Sequence, residues 1–328
     1  MALNGNANPV YKLTDAAPDD YARREPVRRR VMVSIPSHGG NPSYITQSSF
    51  LRSRDLANSL GITLDINVRV GDSSIERARD IMFSQFLDKY PDATDLMFID
   101  DDIGWEAEGL IRLLSHQVDF VGGAYRSRGD PEVYVLRSRD NELQRDKATG
   151  LMDVEGVPTG FLYITRRAAE KLAAAQVREA EEAKVKASRL VAFIDQQMAP
   201  DDAAEELKRL VLSECESKQQ YWYTDCTAPG LTIRHLFEFK VREHRLYSED
   251  YNFCLRWIAL GEKCWLDPDQ NLHHVGAKVF SGNLMRWLES SAPKIPDHVP
   301  KGEAAAHFAN PLQGSLLDAA KALIGRVA

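Results

Sequence analysis

The run Leu96-Met97-Phe98-Ile99-Asp100-Asp101-Asp102 sets the reading of this chain. Four apolar residues end abruptly in three carboxylates. The apolar part predicts a buried strand of a parallel sheet, covered on both faces. The carboxylates then fall at the strand's C-terminal end, where open α/β sheets bind ligands. Side chains alternate along an extended chain, so Asp100 and Asp102 are expected on one side and Asp101 on the other. Two hard oxygen donors on one side suit Mg²⁺ or Mn²⁺, above all an ion shared with a diphosphate. The same run also fits a solvated acidic turn that caps a following helix.

Outward from this run, strands and helices alternate. Val31–Pro36 reads as a first strand, followed by Ser37-His38-Gly39-Gly40, a flexible turn able to approach a ligand closely. A helix is expected over 44–60 and a strand over Leu64–Val70. Ile75, Ala78, Met82 and Phe86 have helical spacing and place a helix at 74–89. Beyond the carboxylates come a helix near 106–116 and a strand over Asp119–Gly123. This order predicts an α/β fold with a mostly parallel sheet flanked by helices. Tyr134–Leu136 suggests an edge strand, and Val157–Thr165 a glycine-punctuated strand running into a helix. Residues 166–218 are nearly all helix formers, interrupted by Ala199-Pro200-Asp201-Asp202, which reads as an αα-hairpin with Asp201 or Asp202 capping its second helix. Its even charge mix suits a solvated surface element. Strand character resumes at 236–241, Glu249–Leu260 reads as a helix, and Cys264–Leu266 as a last strand. The expected organisation is a poorly ordered arm at 1–27, one domain over 28–282 carrying the hairpin as an insertion, and a helical tail at 283–328 with an amphipathic helix at 316–324.

The chain has 328 residues, 44% hydrophobic and 27% charged, with a formal net charge of −7. That gives no global case for a nucleic-acid binder. Charge is uneven, however. Arg23, Arg24, Arg28, Arg29 and Arg30 make a basic stretch, and residues 231–247 carry Arg234, Lys240, Arg242 and Arg245 against Glu238 and Glu243. Cys215, Cys226, Cys254 and Cys264 form no CxxC pair and fit reduced thiols better than disulfides or a zinc site. No segment has the length and apolarity of a signal peptide or a bilayer span. The expectation is a cytoplasmic protein without a membrane partner, in the host cytoplasm for a viral chain.

Three further constellations can carry chemistry. In Tyr247-Ser248-Glu249-Asp250-Tyr251-Asn252-Phe253-Cys254, Ser248 can cap a helix whose first turn holds two carboxylates, favourable with the macrodipole. The functional reading makes one of them a general base for an acceptor hydroxyl. In Leu272-His273-His274-Val275-Gly276, one imidazole of an extended pair can face a given side. A neutral imidazole beside two carboxylates completes a Mn²⁺ set. In Asp72-Ser73-Ser74-Ile75-Glu76-Arg77-Ala78-Arg79-Asp80, Arg77 and Arg79 are about 200° apart on a helix and cannot both face one site. One of them suits a nucleotide phosphate, or else an ion pair with Glu76 or Asp80.

The order of these motifs resembles metal-dependent glycosyltransferases of the GT-A fold, near the large family-2-like group and its viral and bacterial relatives. The matching residues are Ile35-Pro36, Glu76-Arg77-Ala78-Arg79-Asp80, Phe98-Ile99-Asp100-Asp101-Asp102-Ile103, Phe120-Val121-Gly122-Gly123-Ala124-Tyr125, Thr159-Gly160-Phe161, Ser248–Cys254 and His274-Val275-Gly276. The resemblance implies a Rossmann-like GT-A sheet and a Mn²⁺ or Mg²⁺ ion held by Asp100, Asp102 and His274. It implies a nucleotide-sugar donor, a UDP-sugar first, contacted by Pro36, Ser37, Arg77, Arg79, Asp100, Asp101, Gly122 and Gly123. Asp250, with Glu249 beside it, matches the catalytic base of inverting members. The helical hairpin at 166–218 departs from the family pattern, and acceptor specificity is not carried over.

The function expected is transfer of a sugar from a nucleotide-sugar to an acceptor hydroxyl. The acceptor is a glycan, a protein, or hydroxymethylated bases in DNA, for which the local basic segments would supply phosphate contacts. A base in DNA would also have to leave the duplex stack. A non-catalytic nucleotide-sugar-binding module would not need Asp100, Asp102, Asp250 and His274. A metal-dependent nucleotidyltransferase would carry a lysine in its glycine-rich loop, which Ser37-His38-Gly39-Gly40 lacks.

Overall fold

The computed structural model describes residues 29–129, 132–138, 143–198, 202–219, 222–242 and 244–290. The expected arm at 1–27, Arg28 and the tail helix at 316–324 lie outside them. In chain order the elements are β1 (Arg30–Ser37), α1 (Tyr44–Ser59), β2 (Thr63–Val70), α2 (Ile75–Asp88), β3 (Asp95–Ile99), β4 (Ile103–Trp105), α3 (Ala107–Ser115), β5 (Phe120–Gly123), β6 (Met152–Val154), β7 (Phe161–Thr165), α4 (Arg166–Gln197) and α5 (Asp202–Gln219). They continue with β8 (Trp222–Tyr223), β9 (Ile233–Arg234), β10 (Lys240–Arg242), β11 (Arg245–Tyr247), α6 (Glu249–Ala259), β12 (Cys264–Asp267), β13 (Asn271–Val275), β14 (Val279–Asn283) and α7 (Leu284–Glu289).

β3 is buried along its whole length, and its side chains divide between two cores. Leu96 and Phe98 join Met82, Phe83 and Phe86 of α2, Leu172 of α4 and Phe253 and Trp257 of α6. Met97 and Ile99 join Phe50 of α1 and Leu110 and Leu113 of α3. The result is a three-layer molecule with helices on both faces of a central sheet. Each fully buried large side chain contributes about 1.5–3 kcal/mol. Phe237 stacks on Phe253 at 4.2 Å and meets Phe98 edge-on at 5.5 Å, which ties the segment after β9 to the sheet.

The central sheet has the order β2-β1-β3-β7-β5-β12-β6. β2, β1, β3, β5 and β12 run in one direction, and β7 and β6 oppose them. The sheet is therefore mixed, with a largely parallel set of strands. A second sheet, β14-β13-β4, crosses the C-terminal end of β3. Its register sets His274 opposite Ile103, one residue from Asp102. β4 is held to α1 by polar side chains. Ser49 Oγ accepts Trp105 N at 3.0 Å, Ser53 Oγ accepts Trp105 Nε1 at 2.8 Å, and Thr46 Oγ1 donates to Ile103 O at 2.8 Å.

Three expected elements differ. Tyr134–Leu136 makes only isolated bridges, not an edge strand. The strand expected at 236–241 is absent over 235–239, because Leu236 N and Phe237 N donate to the buried Asp80 carboxylate at 2.8 and 2.9 Å instead of to a ladder. Ser248 stands at the N-cap of α6, but its hydroxyl bonds the Asp250 carboxylate rather than a backbone N–H. The αα-hairpin is present as α4 and α5, with Ala168, Ala169 and Leu172 of α4 rooted in the core. Among the described residues, Cys226, Cys254 and Cys264 are free thiols, and no helix is long and apolar enough to cross a membrane.

The end of β12, next to the sheet's edge strand, is locked by Asp267. Its fully buried carboxylate accepts Arg112 Nε at 2.7 Å, Gln270 Nε2 at 2.8 Å and a 3.1 Å contact with His116. Burial alone would raise its pKa. Hydrogen bonds and charge from His116 and Arg112 outweigh that and hold it at about 2. Folded below unfolded, this carboxyl stabilises the protein above its ordinary value of 3.8 and stops doing so as pH falls to about 2. That shift corresponds to about 2 kcal/mol. Asp267→Asn is expected to lower stability by about that amount at neutral pH and to flatten the stability curve in this acid window. Urea melts at pH 7 and pH 3 check it; a variant as stable as wild type at pH 7 would show the network to be neutral.

Candidate active site

The acidic run after β3 is a turn, not an extended segment: Ile103 N donates to Asp100 O at 3.1 Å. The alternation expected for the three carboxylates therefore does not hold, and each goes to its own partner. Asp101 is an anchor. It accepts Ser37 Oγ at 2.7 Å, and its carbonyl accepts Ser43 N at 2.7 Å, tying the turn to β1 and the start of α1. Burial pushes its carboxyl up, the Ser37 bond opposes this, and Asp102 and Asp100 add to the rise.

Asp100 is turned to Arg79. Its Oδ1 accepts Arg79 Nη2 at 2.6 Å, and Tyr125 Oη lies 3.5 Å from Oδ2. Gly160 lies against this carboxylate, where a Cβ would stand 2.5 Å from Oδ2 and 2.7 Å from Tyr125 Oη. Arg79 is 3% exposed, and its other nitrogen, Nη1, pairs with Glu249 at the start of α6. Burial works against its charge; the carboxylates of Asp100, Glu249 and Asp250 outweigh it and raise its pKa. Burial lifts Glu249 above its ordinary value, against the pull of Arg79, with Asp250 and Asp100 adding to the rise. One guanidinium thus couples the end of β3 to the start of α6. Of the two α2 arginines only Arg79 faces the site, in keeping with the helical spacing, but it is bound by the protein's own carboxylates. Arg77 is turned away, 2.8 Å from the nearly buried Asp72 and 3.7 Å from Asp225.

Asp102 is turned to Arg128 and His274. Its Oδ2 lies 3.0 Å from Arg128 Nη2 and 3.5 Å from His274 Nε2. His274 Nδ1 lies 2.9 Å from the Arg126 carbonyl, which can only accept, so the Nδ1 proton is held there. In the neutral ring Nε2 then presents a lone pair toward the Asp102 oxygen. Two electron-pair donors side by side, with the imidazole oriented by a backbone carbonyl, form a fitting pair for a divalent cation. The third expected ligand does not join them, since Asp100 is held by Arg79. Among the described residues, no three His, Cys, Asp or Glu side chains converge as a metal cluster. His273 points to Ser281, 2.8 Å away.

Asp250 keeps one carboxylate oxygen clear of these networks: Oδ1 accepts the Ser248 hydroxyl and Tyr251 N at 2.8 Å. Pro36 and Ser37 end β1 beside Asp101 and are buried. Gly122 and Gly123 have reasons within the fold. A Cβ on Gly122 would come within 2.8 Å of Val157, and one on Gly123 within 3.0 Å of Phe161. Both are packed closely within the fold on the side where a Cβ would stand.

Two residues of the site carry no role in the sequence reading. Tyr125 is buried between Asp100 and His274, with its ring 5.0 Å from the imidazole. Burial and the Asp100 charge raise its pKa well above the ordinary value, so the phenol stays protonated. Arg128 is half exposed at the mouth and neutralises Asp102. Tyr125 lies in a quoted motif, but only the register of β13 on β4 brings His274 beside it. Arg128 stands in an irregular segment with no periodicity to flag it.

No protein-family model matches the chain, and no curated protein matches it. Solved structures bear a distant likeness, and two of them can be named. One, described as A197 from STIV, is 15% identical, with a TM-score of 0.39, over 82% of this chain and 99% of that chain. The other is described as a glycosyltransferase involved in the glycosylation of the major capsid of PBCV-1. It is 10% identical, with a TM-score of 0.27, over 43% of this chain and 62% of that chain. At these scores neither likeness carries an assignment, and function has to be argued from the side chains.

Proposed function

We propose that the chain is a glycosyltransferase of GT-A type that moves a sugar from a nucleotide-sugar, a UDP-sugar first, to an acceptor hydroxyl. One observation carries this reading. Asp102 and an oriented His274 lie side by side at the mouth of a strand-end site, and Arg79 links that strand end to the Glu249-Asp250 pair. In this reading the first pair serves a leaving diphosphate and the second an acceptor.

A Mn²⁺ or Mg²⁺ ion would draw on Asp102 and His274. Bound there, it supplies stabilisation of the negative charge that grows on a nucleoside diphosphate leaving group. Arg128 would then turn from Asp102 to the phosphate oxygens, a geometry that suits a guanidinium. Arg79 fixes Asp100 and Glu249 without touching substrate. Asp250 takes the proton of the acceptor hydroxyl as the bond to the sugar forms, which is the role a carboxylate base has in inversion.

A glycan or protein acceptor is favoured over DNA. Arg29 pairs with Asp95 at 2.9 Å, Arg234 is bound by both oxygens of Asp88, and Arg30 pairs with Asp65. These cations are already neutralised and are poor candidates for phosphate contacts. The side chains of Arg28, Arg242 and Arg245 lie outside the described residues.

The test is a panel of nucleotide-sugars assayed for Mn²⁺-dependent hydrolysis and transfer, with wild type and Asp250→Asn. The asparagine keeps the shape but cannot accept a proton. Transfer is expected to fall by about 10²–10⁴-fold with donor binding retained. Near-normal transfer by the variant would reduce Asp250 to a helix-terminal charge. No turnover of any donor by wild type would remove the transferase reading.

A further inference from the structure

We infer that Arg128 competes with a divalent cation for the Asp102 carboxylate, and that this competition makes the cation and a diphosphate bind interdependently. The inference rests on the proposed function, since it concerns the same pair of donors. Both claims meet on one atom: Asp102 Oδ2 lies 3.0 Å from Arg128 Nη2 and 3.5 Å from His274 Nε2. Of the three groups at this oxygen, two are fixed. His274 is held through Nδ1 by the Arg126 carbonyl at 2.9 Å, with the Tyr125 ring edge-on to it at 5.0 Å. The Asp102 carbonyl accepts Val275 N at 2.8 Å, and its side chain is 23% exposed. Arg128 is the movable one. Its side chain is 51% exposed, on a segment whose backbone is itself tied down: Ser127 N donates to the Val133 carbonyl at 2.7 Å, and Arg126 Nη2 to the Gly129 carbonyl at 3.1 Å. Its stem lies along Gly276, where a Cβ would stand 2.8 Å from Cδ. The guanidinium can therefore leave Asp102 by rotation of a long side chain, with no change in the backbone.

Two cations cannot share one carboxylate oxygen without repelling each other, and a dication is repelled more than a monocation. With Arg128 in place, the Asp102–His274 pair is therefore a weak site for Mn²⁺ by itself. A half-exposed ion pair shifts such an equilibrium by about two- to fivefold, so the competition tunes binding rather than forbidding it. A diphosphate changes the balance. Its oxygens match a guanidinium in bidentate geometry and offer it a partner in place of Asp102. The conformation of Arg128 that meets the phosphates is the one that frees Asp102 for the cation. Each ligand then favours the state the other needs, and by linkage each raises the other's affinity by the same factor. A plain surface ion pair would lack this coupling, and an arginine that only gripped phosphate would leave the binding of Mn²⁺ alone unaffected.

Mn²⁺ binding to the full chain is read from the loss of the free ion's electron paramagnetic resonance signal, without nucleotide and with uridine diphosphate. Arg128→Gln is expected to bind Mn²⁺ alone about two- to fivefold more tightly than wild type, a gain that a damaged fold does not produce. Uridine diphosphate is expected to tighten Mn²⁺ binding in both proteins, by a factor at least about twofold smaller in the variant. Arg128→Lys keeps the charge and should behave nearer to wild type. Adding His274→Ala to Arg128→Gln should remove the gain, which ties the gained ion to this pair. The inference is overturned, with the cation reading intact, if Arg128→Gln binds Mn²⁺ alone no more tightly than wild type while uridine diphosphate still enhances binding. It is overturned likewise if the gain survives His274→Ala. If no form binds Mn²⁺, with or without uridine diphosphate, the proposed cation pair falls and the inference falls with it.

Discussion

Arg79→Met should be among the most damaging single substitutions in this protein. The arginine is 3% exposed, and its two terminal nitrogens serve Asp100 and Glu249. Methionine fills much of the volume but leaves two carboxylates facing each other in a buried setting, with Asp250 close by. Breaking one side of a buried ion pair costs about 3–5 kcal/mol, because the remaining charge is left uncompensated. The Asp100 side chain is only 26% exposed, so solvent does little to relieve it. Arg79→Lys should recover a minor part, since one ammonium cannot bridge both carboxylates in a planar fork. Urea denaturation at neutral pH measures both. A loss below about 1 kcal/mol in Arg79→Met would mean that the bridge is not an ion pair of weight, and that β3 and α6 are held by packing alone.

The same arginine shows how far the sequence reaches. Helical spacing over Ile75–Phe86 correctly required Arg77 and Arg79 to part company. It did not say which would face the site, or that the chosen one would be bound by the protein's own carboxylates. That depends on Glu249, 170 residues away. The Leu96–Ile99 run was legible as a buried strand because an unbroken apolar run needs cover on both faces. The carboxylates after it were misread as extended because a three-residue strand, β4, begins immediately after and forces a turn. β4 has no period of its own; it exists because β13 and the buried hydroxyls of α1 supply its hydrogen bonds. The strand expected at 236–241 failed for a related reason. Asp80, buried in α2, takes two backbone N–H groups from that segment, and a carboxylate at that distance in sequence leaves no local pattern. Likewise, no local pattern marks Gly160 as the glycine pressed against Asp100.

The second large effect is expected at Asp102. In the proposed function this carboxylate and His274 act together on a divalent cation, because Asp100 is committed to Arg79. Asp102→Ala removes the oxygen 3.5 Å from His274 Nε2 and also releases Arg128, which lies 3.0 Å away in wild type. The fold should survive, since Asp102 is only partly buried and the β4–β13 contact through its carbonyl to Val275 N, at 2.8 Å, is backbone. Removing a side-chain ligand from a two-donor site leaves His274 alone, too little to hold Mn²⁺ with a diphosphate. His274→Ala should act in the same direction, and Asp101→Asn should not, because Asp101 belongs to the turn rather than to the pair.

The most direct measurement is calorimetric titration of uridine diphosphate into the protein with Mn²⁺ and with a chelator. Wild type is expected to bind only with Mn²⁺, and Asp102→Ala is expected to show no Mn²⁺-dependent binding while melting as wild type does. Equal affinity with and without the ion, or undiminished Mn²⁺-dependent binding by Asp102→Ala, would contradict the account.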